Sequence, residues 1–374
     1  MEFGNLLQLL AAPTHLTWQM VVMMIAGGVL IYLGIAKDYE PVLLIPIGFG
    51  AILTNLPLTP ITSEEGLLGL MYHVGVSTEL FPLLIFIGVG AMTDFGPLLE
   101  NPKMALLGAA GQFGIFGTLM LALFLGFDLN EAASIGIIGA IDGPTSIYVS
   151  SKLAPHLLGP IAVAAYSYMS LVPIIQPPVM RWLTNTRERT VRMPYTEREV
   201  SRTTRILFPI VVTIIVSLIA PVASPLIATL MFGNLLRESG VVERLSQSAQ
   251  NEIANVSTMF LGLAIGSTMT GAAFIRLDTL LILAMGLLAF VLDTAGGVLF
   301  GKLMYLLTSK KFNPLIGAAG ISAFPMSARV VQRVGQEFDQ QNFLLMHAMG
   351  ANTAGQLGSV IAGSVVLSLL TGAF

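Results

Sequence analysis

The chain has 374 residues, of which 55% are hydrophobic and only 10% are charged, and its mean hydropathy is +0.81. A soluble domain carries about 25% charged residues, so this composition excludes a soluble globular protein and indicates one that lives in a bilayer. The net charge of −3 argues against nucleic acid as a partner, and the lack of cysteine excludes disulfides and thiolate metal sites. We expect a multi-pass protein in contact with the lipid of a bacterial or archaeal inner membrane.

Roughly ten apolar segments follow one another along the chain, which predicts an all-α polytopic membrane fold. Residues 1–36 hold the N-terminal membrane segment, and Met1–Pro13 lacks the basic region of a cleaved signal peptide. Several later segments are too short or too glycine-rich to span alone, so we expect discontinuous helices and re-entrant hairpins. Leu80–Met92 is the best re-entrant candidate.

Residues 37–180 form the first predicted repeat, and Asp142 is its most informative residue. A carboxylate at mid-bilayer costs about 2.5–3.5 kcal/mol on insertion scales, and the Gly143-Pro144 pair that follows breaks the helix. An acid at a broken helix is typical of an ion site at the membrane midplane. Free carbonyls and the hydroxyls of Thr145 and Ser146 would complete the oxygen ligands that Na⁺ prefers. The alternative is a buried ion pair, for which Lys152 is the candidate partner.

Tyr166 and Tyr168 follow in the segment AAYSYMSLVP. A phenol inside a helix bundle can donate a hydrogen bond or a proton, whereas tyrosines near the ends of spans are often interfacial anchors. Both interpretations remain open from the residues alone.

Residues 181–205 form an arginine-rich linker, which the positive-inside rule places in the cytoplasm. This charge is a topology signal, and a docking surface for a soluble partner is the alternative interpretation.

Residues 206–374 form the second predicted repeat. The segment IGAIDGPTS at 138–146 parallels IGAAGISAFPMS at 316–327, and IGVGAMTDFG from Ile87 parallels IGSTMTGAAF from Ile265. Two related repeats with discontinuous helices that meet at the midplane are typical of transporters, although glycine-rich apolar segments also resemble one another by chance. The repeats are inverted if each half holds an odd number of spans.

Polar residues interrupt the apolar segments of the second half. Asn313, Ser322 and Arg329 lie in NPLIGAAGISAFPMSARVVQ, and Asn352 lies in GANTAGQLGS. The guanidinium group of Arg329 could bind a carboxylate, although an arginine at the end of a span can also extend its side chain to the membrane–water interface. An amide in a glycine-flanked helix is either a cation ligand or a hydrogen bond between helices.

Two further acids, Asp94 and Asp293, lie within apolar segments. Either could serve ion transfer, or could simply cap the start of a helix.

These motifs together resemble the β subunit of the sodium-pumping biotin-dependent decarboxylases, which act on oxaloacetate, methylmalonyl-CoA, glutaconyl-CoA or malonate. The resemblance runs from Lys37 to the end of the chain. It rests on five segments: GAIDGPTSIYVSSKLAP, AVAAYSYMSLVPIIQPP, GNLLRESGV, NPLIGAAGISAFPMSARVVQ and LLMHAMGANTAGQLGS.

The resemblance implies that a soluble carboxyltransferase moves CO₂ onto biotin, which a partner biotin carrier protein holds covalently. This subunit would then decarboxylate carboxybiotin and export Na⁺, within a complex that includes a small single-span membrane subunit and a homotrimer of this chain. The implied Na⁺ ligands are Asp142, Asn352, Ser322 and Asn313. The implied catalytic residues are Tyr168, Arg329 and Ser322, and the implied biotin-binding residues are Arg329, Asn313 and Gly317.

Two positions depart from many relatives: Ile141 replaces alanine before the aspartate, and ANTAG replaces PNVAG around Asn352. The alternative function is a stand-alone Na⁺/carboxylate secondary transporter, which would share the repeats, the acid and the arginine. A symporter works alone, whereas the decarboxylase subunit needs a biotin protein.

Overall fold

The computed structural model describes residues 12–37, 39–194 and 200–372. Of the structure, 81% is helical, and the described residues contain no β-strand, so the all-α prediction is confirmed. The helices are α1 Trp18–Lys37, α2 Pro41–Thr54, α3 Leu67–Met71, α4 Leu80–Met92, α5 Gly96–Glu100, α6 Met104–Ala110, α7 Phe113–Phe124, α8 Leu129–Gly136, α9 Gly143–Leu153, α10 Leu158–Ser170, α11 Val172–Leu183, α12 Thr186–Arg189, α13 Arg202–Ile219, α14 Ser224–Ser239, α15 Glu243–Ser248, α16 Ala254–Ser267, α17 Gly271–Phe274, α18 Leu277–Leu307, α19 Met326–Phe338 and α20 Leu345–Thr371.

Five helical segments of the described residues are long and apolar enough to cross a membrane, and the number rises to seven if two bent pairs each count as one span. The five are α1, α6 with α7, α13, α18 and α20. The bent pairs are 60–77 with α4, at 61°, and 155–169 with α11, at 68°. Leu80–Met92, the predicted re-entrant segment, is therefore one arm of a bent pair. The figure of ten segments stays a prediction.

Two hairpins reach into the molecule without crossing it. In the first hairpin, residues 129–153, α8 continues through the 3₁₀ turn Ile137–Ala140, the chain reverses at Ile141 and Asp142, and α9 returns. In the second hairpin, residues 314–338, the 3₁₀ segment Pro314–Gly320 runs into the molecule, and α19 runs back in the opposite direction. Buried backbone must be hydrogen-bonded, so such breaks persist only where protein or a cavity surrounds them.

The hairpins enter from opposite ends of the molecule, as their contacts with α18 reveal. The start of α18 shares a surface pocket with Glu131 and His156, at the open base of the first hairpin. Lys302, near the other end of α18, donates to the carbonyl of Leu183 at 3.0 Å and pairs with Glu188 at 3.4 Å. A rise of 1.5 Å per residue puts about 38 Å between Leu277 and Lys302. We call the Lys302 end the arginine-rich end and the other the far end.

The base of the second hairpin is fixed at the arginine-rich end. Arg181 pairs with Glu337 at 2.7 Å, and Arg192 pairs with Asp339 at 2.6 Å. The hydrogen bonds from Arg192 hold the pKa of the Asp339 carboxyl below its usual value. Asn313 is fully buried and donates to the carbonyls of Arg189 at 3.0 Å and Val191 at 2.8 Å.

The helices form two groups with a cavity between them. The hairpin bundle comprises the two hairpins with α6, α7, α10, α11, α18 and α20. The support layer comprises α1, α2, α4, α14 and α16. Glycine allows close contact within the support layer: a Cβ at Gly90 of α4 would overlap the carbonyl of Leu230, and one at Gly233 of α14 would overlap that of Ile87. Small residues at such crossings let membrane helices pack backbone to backbone.

Candidate functional site

Asp142 lies at the tip of the first hairpin and is only 4% exposed. It is the N-cap of α9, and its carboxylate accepts hydrogen bonds from the amide of Thr145 at 3.3 Å and from its hydroxyl at 2.8 Å. Side chains of α20 reach the same carboxylate, with Ser359 Oγ 2.8 Å and Gln356 Nε2 3.3 Å from Oδ2. The positive end of the α9 dipole also favours an ionised carboxylate.

No arginine, lysine or histidine pairs with Asp142 in the described part of the chain. The sequence alternative, a buried ion pair with Lys152, is wrong, because Lys152 Nζ lies 2.6 Å from Glu79 Oε1 instead. Lys152 stands at the outer end of α9, about three turns away from the acid at its start. The neutral hydrogen-bond donors around Asp142 reduce the free-energy cost of burying its carboxylate, but they do not compensate its negative charge.

The second hairpin brings its tip to the same place. Asn352 of α20 is buried and donates to the carbonyl of Ile321 at 2.6 Å, and its Oδ1 has no hydrogen-bond partner within the described ranges. The hydroxyl of Ser322 donates to the carbonyl of Gly355 at 3.2 Å. Asn352 and Gln356 stand one helical turn apart, so Asn352 lies on the same face of α20 as a residue that contacts the carboxylate.

A cavity of about 460 Å³ opens beside Asp142, between the hairpin bundle and the support layer. Glu40, Met92 and Gln250 line its outer part at the arginine-rich end, and Asp142 and Ser322 lie at its inner end. The other lining residues are Val42, Leu43, Ile85, Val89, Ile141, Gly143, Pro144, Tyr166, Met169, Ala254, Asn255, Thr258, Ala323, Phe324, Pro325, Met326 and Gln356. Its size is in the range of small-molecule sites, roughly 300–1,000 Å³.

The two tyrosines of α10 have different surroundings. The ring of Tyr166 is buried, lines the cavity and covers Gly143, where a Cβ would overlap it. Tyr168 is half-buried on another side of α10, and its hydroxyl donates to the carbonyl of Leu283 in α18. The residues that line the cavity therefore include Tyr166 and not Tyr168, for which a role in proton transfer stays a prediction.

Besides Tyr168 and Asn352, three predicted site residues lie outside the cavity lining. Asn313 caps the second hairpin at the arginine-rich end, and Gly317 packs so closely on Gly297 of α18 that a Cβ would overlap the backbone. Arg329 is exposed on α19, one turn beyond Met326 at the cavity wall, and forms no ion pair with a described residue. The cavity lining thus joins Asp142 and Ser322, Asn352 contacts the adjacent tip of the second hairpin through Ile321, and Asn313, Gly317 and Arg329 lie elsewhere.

Gln356 and Ser359 are site residues that sequence reasoning missed. Both lie in the segment GANTAGQLGS, where only Asn352 was singled out. Positions 352, 356 and 359 follow the spacing of one helix face, and a polar stripe of that spacing in an apolar helix was the available signal.

The two further acids are tied to backbone amides. Asp293 is fully buried and accepts from the amide of Gly114 at 3.1 Å, at the first turn of α7. Asp94 accepts from the amide of Gly96 at 2.8 Å and pairs with Arg205 and Arg237 at 3.5 and 3.4 Å. Asp94 therefore accepts from the amide that begins α5, whereas Asp293, in the middle of α18, accepts from the first turn of the neighbouring helix α7.

Two hairpins that enter from opposite ends and meet at a buried carboxylate beside a cavity define a membrane protein built to carry a small cation. The comparisons with known proteins agree with that class. Residues 19–370 match the family described as the Na⁺-transporting oxaloacetate decarboxylase beta subunit, and the chain belongs to this family.

Curated relatives extend over nearly the whole chain. The glutaconyl-CoA decarboxylase subunit beta of Acidaminococcus fermentans is 54% identical over 356 residues, 95% of this chain and 94% of that protein. The methylmalonyl-CoA decarboxylase subunit beta of Veillonella parvula is 55% identical, over 94% of this chain and 93% of its own length. A probable oxaloacetate decarboxylase beta chain of Vibrio cholerae is 47% identical, over 96% and 97% of the two chains.

The chain is therefore a membrane subunit of a sodium-translocating decarboxylase and works within a multi-subunit complex. The family resemblance predicted from the sequence is confirmed, and the stand-alone symporter is not favoured.

Proposed function

We propose that Asp142 binds Na⁺ that enters through the cavity, and that carboxybiotin is decarboxylated beside it. One observation carries this proposal: a buried carboxylate faces a cavity with no charged partner among the described residues. A cation that neutralises the acid makes its burial tolerable. Gln356 and Ser322 of the cavity lining would supply further oxygen atoms, and so would Asn352, which contacts the tip of the second hairpin at Ile321.

The subunit lies in the inner membrane in this proposal. The positive-inside rule then orients its arginine-rich end toward the cytoplasm. The cavity is then open to the cytoplasm, where a soluble carboxyltransferase and a biotin carrier protein deliver carboxybiotin. A small single-span membrane subunit and a homotrimer of this chain complete the proposed complex. Arg329 and Arg333 follow each other by one turn on the exposed face of α19 and would attract the incoming carboxylate.

Decarboxylation breaks the bond between the ureido nitrogen and the carboxyl carbon, releases CO₂ and leaves a nitrogen that takes up a proton. Tyr168 is the donor that the sequence predicts. Tyr166 is the better-placed phenol, since its ring lines the cavity beside Gly143. Export of one Na⁺ against 100 mV costs about 2.3 kcal/mol, which the decarboxylation would supply.

The two halves, 37–180 and 206–374, are proposed to be inverted repeats that contribute ten segments in all. The opposite entry of the hairpins supports this proposal. The contacts support it as well, because α4 packs on α14 as α2 packs on α16. A movement of the hairpin bundle against the support layer would expose the site to one side and then to the other.

The test is Asp142→Asn in the purified complex, with carboxybiotin formed first from labelled substrate without Na⁺. We expect label to accumulate on biotin normally and then to persist when Na⁺ is added. Asp293→Asn is the matched control, since that acid lies outside the cavity and should permit Na⁺-dependent decay. Decay in Asp142→Asn at the wild-type rate would remove the ion-site assignment.

A further inference from the structure

The cavity has a second polar wall, on the support layer, that the proposed sodium site does not use. Asn255 and Thr258 of α16 lie one turn apart and line the cavity together with Gln250. The π-helical turn Ala249–Ile253 leads directly into this wall. Such turns add one residue to a helix and change the direction of the side chains that follow, often at functional sites.

The two walls differ in the state of their polar groups. On the hairpin side, the carboxylate of Asp142 and the hydroxyl of Ser322 already contact other protein groups. On the α16 side, the side chains of Asn255 and Thr258 form no hydrogen bond with any described residue, and Gln250 uses only its Nε2, which donates to Ser246 at 3.1 Å. Donors and acceptors that face a cavity in this way are satisfied by water or by a ligand.

Apolar side chains border this wall. Val89 and Met92 of α4 and Ala254 of α16 lie beside Asn255 and Thr258 in the cavity lining. A surface of this kind suits a flat ligand with a neutral polar edge and an apolar body, because the amide can both donate and accept while the body covers the apolar patch. A bare cation would leave the apolar part uncovered.

We propose that the α16 wall, Asn255 and Thr258 with Gln250, binds the ureido ring of the biotin group during its decarboxylation. This inference rests on the proposed function and adds to it residues that position the ring. A ureido group offers a carbonyl oxygen and an N–H, which match the amide of Asn255 and the hydroxyl of Thr258. A ring held on α16 would direct its carboxyl group across the cavity, toward Asp142 and its Na⁺.

The test uses Asn255→Leu and Thr258→Val in the whole complex, and both changes remove hydrogen-bonding groups while they keep much of the volume. Carboxybiotin is formed on the carrier without Na⁺, and its decay is then followed as Na⁺ is varied. We expect decay at saturating Na⁺ to slow about three- to tenfold for each lost hydrogen bond. The Na⁺ concentration for half-maximal decay should stay at the wild-type value, because the ion site is on the other wall.

Asn251→Leu is the matched control, since Asn251 lies one turn earlier and is exposed, as Asn255 is, but is not part of the cavity lining. Its decay rate should equal that of the wild type. Two results overturn the inference: a raised Na⁺ requirement with full decay at saturation, which makes the wall part of the ion site, or unchanged decay in both variants. Failure of the proposed function itself is a separate result, in which wild-type carboxybiotin decays without regard to Na⁺.

Discussion

Two side chains of α20, Ser359 and Gln356, contact the carboxylate of Asp142, and their removal should change the affinity for sodium directly. Ser359→Ala removes a polar group 2.8 Å from the carboxylate, which makes the ionised form less favourable. We expect the Na⁺ concentration for half-maximal decarboxylation to rise about three- to tenfold, since such a hydrogen bond contributes about 1–1.5 kcal/mol. This concentration is measured by following the decarboxylation rate as the Na⁺ concentration is varied.

Ser364→Ala is the control for this change, because Ser364 is buried on the same helix and its hydroxyl donates only to the carbonyl of Val360. Its sodium curve should match that of the wild type. If the Na⁺ concentration for half-maximal decarboxylation rose equally in Ser359→Ala and Ser364→Ala, the changes would be perturbing α20 as a whole.

Asn313 should behave as a structural residue rather than an ion ligand. Asn313→Ala removes one of the two amide side chains that donate to the carbonyls of Arg189 and Val191, since Asn342 donates to both as well, and it removes the cap on the amide of Leu315. A buried amide left unpaired costs about 1–3 kcal/mol, so we expect a lower thermal midpoint and less assembled complex. Among assembled molecules, the sodium requirement should equal that of the wild type. A normal thermal midpoint with a raised sodium requirement would restore the predicted role as a ligand.

The sequence predicted Asp142, Ser322 and Asn352 because polar groups beside helix breaks stand out in apolar segments. It could not separate these from Asn313, Gly317 and Arg329, because the distance between residues of the two hairpins depends on how the hairpins meet.

Nor could the sequence predict the backbone at Ile141, which adopts the left-handed conformation at the tip of the first hairpin with φ of 53°. For a β-branched residue that conformation is strained by about 1–3 kcal/mol and persists only where packing enforces it.

At the scale of elements, the pair Glu79–Lys152 joins the support layer to the first hairpin at the far end. Lys152 also lies 5.1 Å from the ring centre of Tyr148, whose hydroxyl contacts the carbonyl of Val222 at 3.3 Å. These contacts close the far side of the site while the cavity is open at the arginine-rich end. We infer that they must separate when Na⁺ leaves.

Lys152→Met should therefore uncouple the pump. We expect decarboxylation to continue while Na⁺ accumulation in inverted vesicles falls, because the far side no longer closes firmly. The charge reversal Glu79→Lys with Lys152→Glu should restore accumulation. Glu131→Gln, which breaks the nearby contact with His156 at 2.9 Å, serves as the control and should accumulate Na⁺ normally. Full accumulation in Lys152→Met would exclude the pair as a gate.

The base of the second hairpin should loosen in acid. Because Arg192 lowers the pKa of Asp339, the pair adds stability above the ordinary carboxyl pKa, and that stability is lost as the pH falls through the lowered value. The protection of the amides of residues 339–342 against hydrogen exchange, relative to the intrinsic rate at each pH, should therefore fall below about pH 4. Asp339→Asn should show the reduced protection already at neutral pH, with no further loss from this pair in acid.

At the scale of the whole molecule, the separation into a hairpin bundle and a support layer predicts movement between them. The all-helical fold and the family followed from composition and motifs. The two groups of helices could not be predicted, because the crossing of α4 with α14 depends on glycine contacts between segments about 140 residues apart in the sequence. Local hydropathy carries no information about such partners.

A chain without cysteine allows this movement to be followed with single introduced thiols. Met92→Cys, at the outer part of the cavity, should react with a membrane-impermeant maleimide from the cytoplasmic side at rest and react more slowly during turnover. Ile147→Cys, on α9, is fully buried against the support layer and should react only from the outside, and only during turnover. Trp182 is 80% exposed at the arginine-rich end, so the thiol of Trp182→Cys should react at the same rate at rest and during turnover. If Met92→Cys reacted at one constant rate and Ile147→Cys never reacted, the two groups of helices would not move relative to each other, and transport would need a path through a rigid protein.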